Sequence, residues 1–209
     1  MLSSKKTLII LSQSEPCKLE NSFDLVLASD GGYKTAKKMG LEVDVLLGDL
    51  DSITRNDVEE ARSIGIEVIS FPIDKDKTDG ELAVDYAISL DSKEIIILGS
   101  FKEELDHALG NLFLLFKIYN AGIKSMLLTQ NYEIELIDSF KEYIDKIGNE
   151  ISFIPVSEIV EGLSIKGCKY EINNVSVEMG QTLTLRNLIV DKKAKVYLKK
   201  GKILSILKR

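Results

Sequence analysis

Cysteine is almost missing from this chain: Cys17 and Cys168 are its only two in 209 residues, and they lie far apart. That scarcity excludes a disulfide framework and a cysteine-based zinc site, and it fits a reduced, intracellular setting. Histidine is scarcer still, since His107 stands alone, so a histidine-rich zinc centre is excluded as well. Arginine occurs only at Arg55, Arg62, Arg186 and Arg209, which leaves little bidentate capacity for clamping phosphate. No apolar run reaches membrane-spanning length, and the short one after Lys5 and Lys6 falls below a signal h-region. A soluble cytoplasmic protein is the expectation. The net charge of −6 argues against a nucleic-acid surface or a membrane binder, and an anionic ligand would call for a bridging metal.

What the chain does have is 44% apolar and 29% charged residues, enough to bury a core as one large or two small domains. Apolar runs at 7–11, 23–28, 43–47, 65–71, 94–99 and 124–129 alternate with helical stretches over 33–39, 54–64, 78–90 and 108–121. That alternation predicts an α/β unit on an open, mostly parallel, Rossmann-like sheet. From about residue 138 helical spacing gives way to short alternating runs near 150–154, 163–166, 170–173, 183–188 and 194–207. Turns are expected at Gly148, Gly162, Gly167, Asn173-Asn174, Gly180 and Gly201. These predict a small antiparallel β-sandwich domain over 139–209, following an α/β domain over 1–138.

Ligands of open α/β sheets bind at the carboxyl ends of the strands. Gly48-Asp49-Leu50-Asp51-Ser52 follows one such strand, and carboxylates at i and i+2 of an extended loop point to similar sides, where they could share a hard cation. Asp30-Gly31-Gly32 occupies a strand-to-helix turn whose free N–H groups suit phosphate. Residues 74–81 follow a third strand and offer Asp76 and Asp79 beside Lys75 and Lys77, with Thr78 and Glu81 set for a capping box. Asp106-His107 follows a fourth. Each signal has a plain reading as a tight turn, a cap or a solvated charge run. Their recurrence at successive strand ends is what points to one site.

In order and approximate spacing these motifs resemble thiamine pyrophosphokinase: Asp30-Gly31-Gly32, then Gly48 to Ser52, then Asp74 to Asp79 with Thr78-Asp79, then Asp106-His107 followed by Asn111. The stretches 151–155 and 160–167 with Tyr170 resemble its second domain. The resemblance implies magnesium-dependent transfer of pyrophosphate from ATP to the hydroxyl of thiamine, giving thiamine diphosphate and AMP, in a homodimer with thiamine near the subunit interface. Carried onto these residues, it implies Asp49 and Asp51 as the metal pair with Asp79 assisting. Asp106 would orient or deprotonate the attacking hydroxyl, and Asp30, Gly31, Gly32, Lys75, Lys77, Thr78 and His107 would surround the nucleotide. Arg186 and Asn187, where the family typically has Ser-Asn, would contact thiamine. Where the family typically has Gly-Gly-Arg, this chain reads Lys102-Glu103-Glu104-Leu105. Lys102 is therefore expected to replace the arginine in part, with Glu103 and Glu104 repelling phosphate unless they face solvent or bind another metal. Alternative readings are a pyrophosphokinase for another hydroxymethyl heterocycle such as a pterin, a non-catalytic nucleotide or thiamine diphosphate binder, and a nucleotide-sugar transferase using Asp-x-Asp.

Overall fold

Strands covered on both faces need unbroken apolar sequence, and the runs in the first part of the chain meet that condition. In the computed structural model, which describes residues 5–102 and 105–209, they become β1 (Lys6–Ile10), β2 (Leu25–Ser29), β3 (Val45–Gly48), β4 (Glu67–Ser70), β5 (Glu94–Leu98) and β6 (Lys124–Leu128). All pair in parallel, in the order β6-β5-β1-β2-β3-β4. The crossovers carry α1 (Gly32–Met39), α2 (Arg55–Ser63), α3 (Asp79–Ser89) and α4 (Leu105–Asn120), while β1 reaches β2 through residues 11–24 without a helix. From β1 the chain steps outward to β4 and then returns to the other side of β1 for β5. The strand order thus reverses between β1 and β5, the position where such sheets bind ligands.

Local chemistry sets the helix ends. Thr54 and Asp57 form a reciprocal capping box at α2. At α3 only half of the expected box forms: Thr78 accepts the N–H of Glu81, but the Glu81 carboxylate turns away to Lys117 at 2.7 Å. The expected α4 start near residue 108 moves forward to Leu105, placing Asp106 and His107 inside the first turn. Gly32 is required by packing, because a Cβ there would lie 2.0 Å from the carbonyl oxygen of Ile10; α1 rests directly on the end of β1. The core of this unit gathers Leu8, Ile10, Ala28, Leu46 and Leu98 from the strands with Tyr33, Ala36 and Ala61 from the helices.

The chain divides into two compact units, Met1–Gln130 and Asn131–Arg209. The second unit holds one antiparallel sheet of β7 (Tyr132–Ile137), β9 (Glu150–Pro155), β12 (Asn187–Leu188) and β14 (Ile203–Lys208), and another of β8 (Phe140–Ile144), β10 (Ile159–Lys166), β11 (Ile172–Glu178) and β13 (Lys193–Tyr197). Side chains from both sheets, among them Ile151, Phe153, Leu163, Val177, Val196 and Ile203, build a single core, which makes a sandwich. Two expected turns prove to be irregularities inside strands. Gly162 lies within β10 at φ +70° and Asn174 within β11 at φ +53°, and the β10–β11 register shifts beside both, as bulged strands do. The expected strand over 183–188 shrinks to the two residues of β12, and the run 194–207 splits into β13 and β14. Strands β7 and β8 lie outside the runs expected from the sequence. Among the described residues, no helix is long and apolar enough to cross a membrane.

Candidate active site

The carboxyl ends of β1, β2, β3 and β4 open onto a cavity of about 440 Å³, whose walls include Ser12, Asp30, Asp49, Lys75, Asp79 and His107. Three carboxylates converge there from two neighbouring strands. Asp30 leaves β2 with φ +47° and is buried, and its Oδ1 accepts the N–H of Ser52 at 3.2 Å. Leu50, at φ +65°, turns the loop after β3 so that Asp49 accepts the N–H of Asp51 at 3.4 Å, while Asp51 accepts the hydroxyl of Ser52 at 3.0 Å. One oxygen from each of Asp30, Asp49 and Asp51 lies within 4.8 Å of the others.

Lys75, from the loop between β4 and α3, enters this cluster. Its Nζ stands 3.1 Å from Asp49 Oδ2 and 3.1 Å from Asp79 Oδ1. The approach to Asp79 is poorly directed for hydrogen bonding, so Asp79 Oδ1 is buried with an ion-pair neighbour but no aligned donor. Burial pushes the Asp79 carboxyl above its ordinary value; the charges of Asp49 and Asp30 push the same way, and Lys75 only partly offsets them. Burial acts on Asp49 in the same sense, but donation from Lys75 and from the Asp51 N–H outweighs it and holds this carboxyl below its ordinary value. For Lys75, burial disfavours the charge, yet its two carboxylate partners raise the ammonium above its usual range. Two aspartates in one cavity are thus driven in opposite directions.

The structure brings Asp30, Asp49, Asp51, Lys75, Lys77, Thr78, Asp79 and His107 to one cavity wall. Gly31 caps α1 and Gly32 begins it; a Cβ at Gly32 would strike the Ile10 carbonyl, whereas one at Gly31 would meet the Ser12 hydroxyl, which can turn away. Lys77 also reaches Asp85 at 2.8 Å. Lys102 pairs with Glu15 at 2.6 Å and keeps its side chain 70% exposed, away from the lining residues; Glu103 and Glu104 lie outside the described residues. Asp106 is exposed, and its Oδ1 accepts the N–H of His107 at 2.8 Å. In the β unit, Arg186 sits at φ +53° with its side chain 83% exposed, 3.7 Å from Glu150. Asn187 is buried: its Oδ1 accepts the N–H groups of Tyr170 and Leu188, and its Nδ2 donates to the Tyr170 carbonyl.

Sequence reasoning missed Ser12 and Gln13 in the cavity wall and did not include Asp30 among the metal-binding carboxylates. The signal for Ser12 and Gln13 was positional, since they follow β1 at the reversal of strand order. Asn111, one helical turn beyond His107, also faces the cavity.

Residues 17–127 match the family described as thiamin pyrophosphokinase, catalytic domain, and residues 138–203 match thiamin pyrophosphokinase, vitamin B1 binding domain. The chain is 31% identical over 184 residues to a thiamine pyrophosphokinase of Bacillus subtilis (strain 168), covering 87% of this chain and 86% of the relative. A crystal structure of thiamine pyrophosphokinase from Bacillus subtilis superposes with a TM-score of 0.85 at 28% identity, covering 98% of this chain and 99% of the other. The thiamin pyrophosphokinase of Candida albicans shares the fold at a TM-score of 0.81 and 15% identity, over 98% and 89% of the two chains.

Proposed function

This chain belongs to the thiamin pyrophosphokinase family, and from that premise we propose that it transfers pyrophosphate from ATP to the hydroxyl of thiamine, giving thiamine diphosphate and AMP. The observation that carries the reading is the convergence of Asp30, Asp49 and Asp51 beside Lys75 and Lys77 in a cavity at the carboxyl edge of the sheet. Moving so charged a group is mostly a matter of positioning and charge neutralisation.

The donor set fits Mg²⁺: three carboxylate oxygens within 4.8 Å form a hard, oxygen-only site, and the buried Asp79 Oδ1 lacks an aligned donor. Asp49 and Asp51 would hold the ion with Asp30, Asp79 standing beside them. When bound, the ion neutralises charge on the transferring phosphates. The chain's own residues do the rest. Lys75 and Lys77 bring positive charge to the same wall, and the buried carboxylate of Asp30 is held still by the Ser52 N–H.

In the transfer, the thiamine hydroxyl oxygen attacks the β-phosphorus of ATP, the bridging bond from the α-phosphate oxygen to the β-phosphorus breaks, and AMP departs. The hydroxyl proton passes to a carboxylate. Asp106, oriented by the His107 N–H, is the proposed acceptor. The partners in this reading are ATP and thiamine, in a cytoplasmic homodimer. The dimer is supported by Leu105, Leu109 and Phe113, exposed at helical spacing along α4. Purified protein incubated with ATP, Mg²⁺ and thiamine should release AMP in proportion to thiamine. AMP release with a hydroxymethylpterin but not with thiamine would replace the acceptor, and intact ATP in every mixture would sink the transfer itself.

A further inference from the structure

We propose that Lys75 is a tethered counter-cation that keeps the metal's place, so that divalent binding is an exchange: the ion displaces the ammonium, which is then released toward the phosphates. The inference rests on the proposal that Asp49 and its neighbours take a divalent ion. It adds a positioning role that neither the metal nor the nucleotide requires by itself.

Of the five aspartates that line the cavity, four are held by two kinds of donor. Asp30 and Asp51 are fixed by the N–H and the hydroxyl of Ser52, donors that are part of the loop itself. Asp49, besides accepting the Asp51 N–H, shares one ammonium with Asp79: Lys75 Nζ lies 3.1 Å from each. That ammonium lies at the tip of a flexible four-carbon stem and, unlike a backbone N–H, can leave without unfolding anything. Its side chain is 14% exposed, so the positive charge sits inside the cluster rather than at its rim. An approaching divalent ion meets both a competitor for Asp49 and a like charge a few ångströms away, where screening by water is weak. Without the ammonium, Asp49 would keep only the Asp51 N–H, and Asp79 would lose its ion-pair neighbour. Lys75 therefore holds the cluster together and also sets the threshold for divalent binding. Once displaced, it remains within reach of the same wall that Lys77 lines.

The test uses the full chain without nucleotide. Mn²⁺ titration followed by electron paramagnetic resonance should show Lys75→Met binding the ion at least about tenfold tighter than the parent, because one neighbouring positive charge has gone. With Mn²⁺ saturating, the same variant should bind a non-hydrolysable ATP analogue more weakly. Unchanged or weaker Mn²⁺ affinity overturns the exchange. A second measurement needs no variant: in the parent protein, Mn²⁺ should increase acylation of Lys75 by an amine-directed reagent, read by peptide mass spectrometry against the exposed Lys93. No increase also overturns the inference. Failure of the underlying metal reading looks different, since the parent would then bind no Mn²⁺, or Asp49→Asn would bind it equally well.

Discussion

In the α/β unit the buried polar groups that matter are charged and gathered at one edge of the sheet, whereas in the β unit they are neutral and closed off in local pairs. Lys75 divides itself between Asp49 and Asp79 and leaves Asp79 Oδ1 without an aligned donor. In the sandwich, the Tyr143 hydroxyl meets Ser205 Oγ at 2.5 Å, Thr184 donates to the Phe153 carbonyl, and Asn187 spends its amide on the backbone of Tyr170 and Leu188. A buried polar group with its partners supplied lends shape; one left partly unsatisfied stores a preference for something that is yet to bind. The contrast assigns chemistry to the first unit and structural definition to these neutral pairs of the second.

The comparison breaks most visibly at Asp49. Asp49→Asn should lower turnover by about two orders of magnitude or more while leaving the circular dichroism spectrum unchanged, because it removes one charge from the metal cluster. Parental turnover would remove Asp49 from the site. The next largest effect lies in the other unit. Asn187→Ala deletes three hydrogen bonds and strands buried backbone groups, so urea unfolding should report a loss of about 2 kcal/mol. Unchanged stability with a raised KM for thiamine would instead make Asn187 a substrate contact.

Asp79→Asn sharpens the contrast through pH. Folded Asp79 keeps its proton to higher pH than the ordinary value of 3.8, so its ionisation penalises the folded state as pH rises through that window. Relative to the parent, the variant should gain stability as pH climbs above 3.8, with a plateau beyond the folded value. Parallel stability curves for the two proteins would refute the assignment. The smallest effect concerns the thiols. Burial pushes Cys168 up to about 11, while Cys17 is only half-buried. At pH 8 a disulfide reagent should modify Cys17 first and reach Cys168 on unfolding. Equal rates in the native protein would contradict the closed interior of the sandwich.

Much of this was legible because acidic residues after apolar runs declare themselves locally. Asp49, Asp51, Asp79 and His107 all reach the cavity from loops or helix starts that the sequence marks. Asp30 joining Asp49 and Asp51 was not legible, since it depends on β2 and β3 lying in register, with Ser29 opposite Leu47. Nor could sequence show that Asn187 would turn inward and Arg186 outward, because the left-handed backbone at Arg186 is a tertiary outcome. In β7, Glu133 and Glu135 surround the buried Ile134, and that charge conceals a strand whose core contacts come from residues far along the chain.

The placement of β1 has a consequence for the order in which the molecule assembles. Leu8 pairs with Val26 on one side and with Ile96 on the other, so one edge of the central strand closes early and the second waits until β5 has been made. During synthesis the growing chain carries an open, apolar parallel edge through three crossovers. Closing it requires a loop of more than eighty residues, the kind of non-local contact that slows folding and exposes a nascent chain to aggregation. Chains halted before Glu94 should therefore engage chaperones more strongly than chains halted after Leu98.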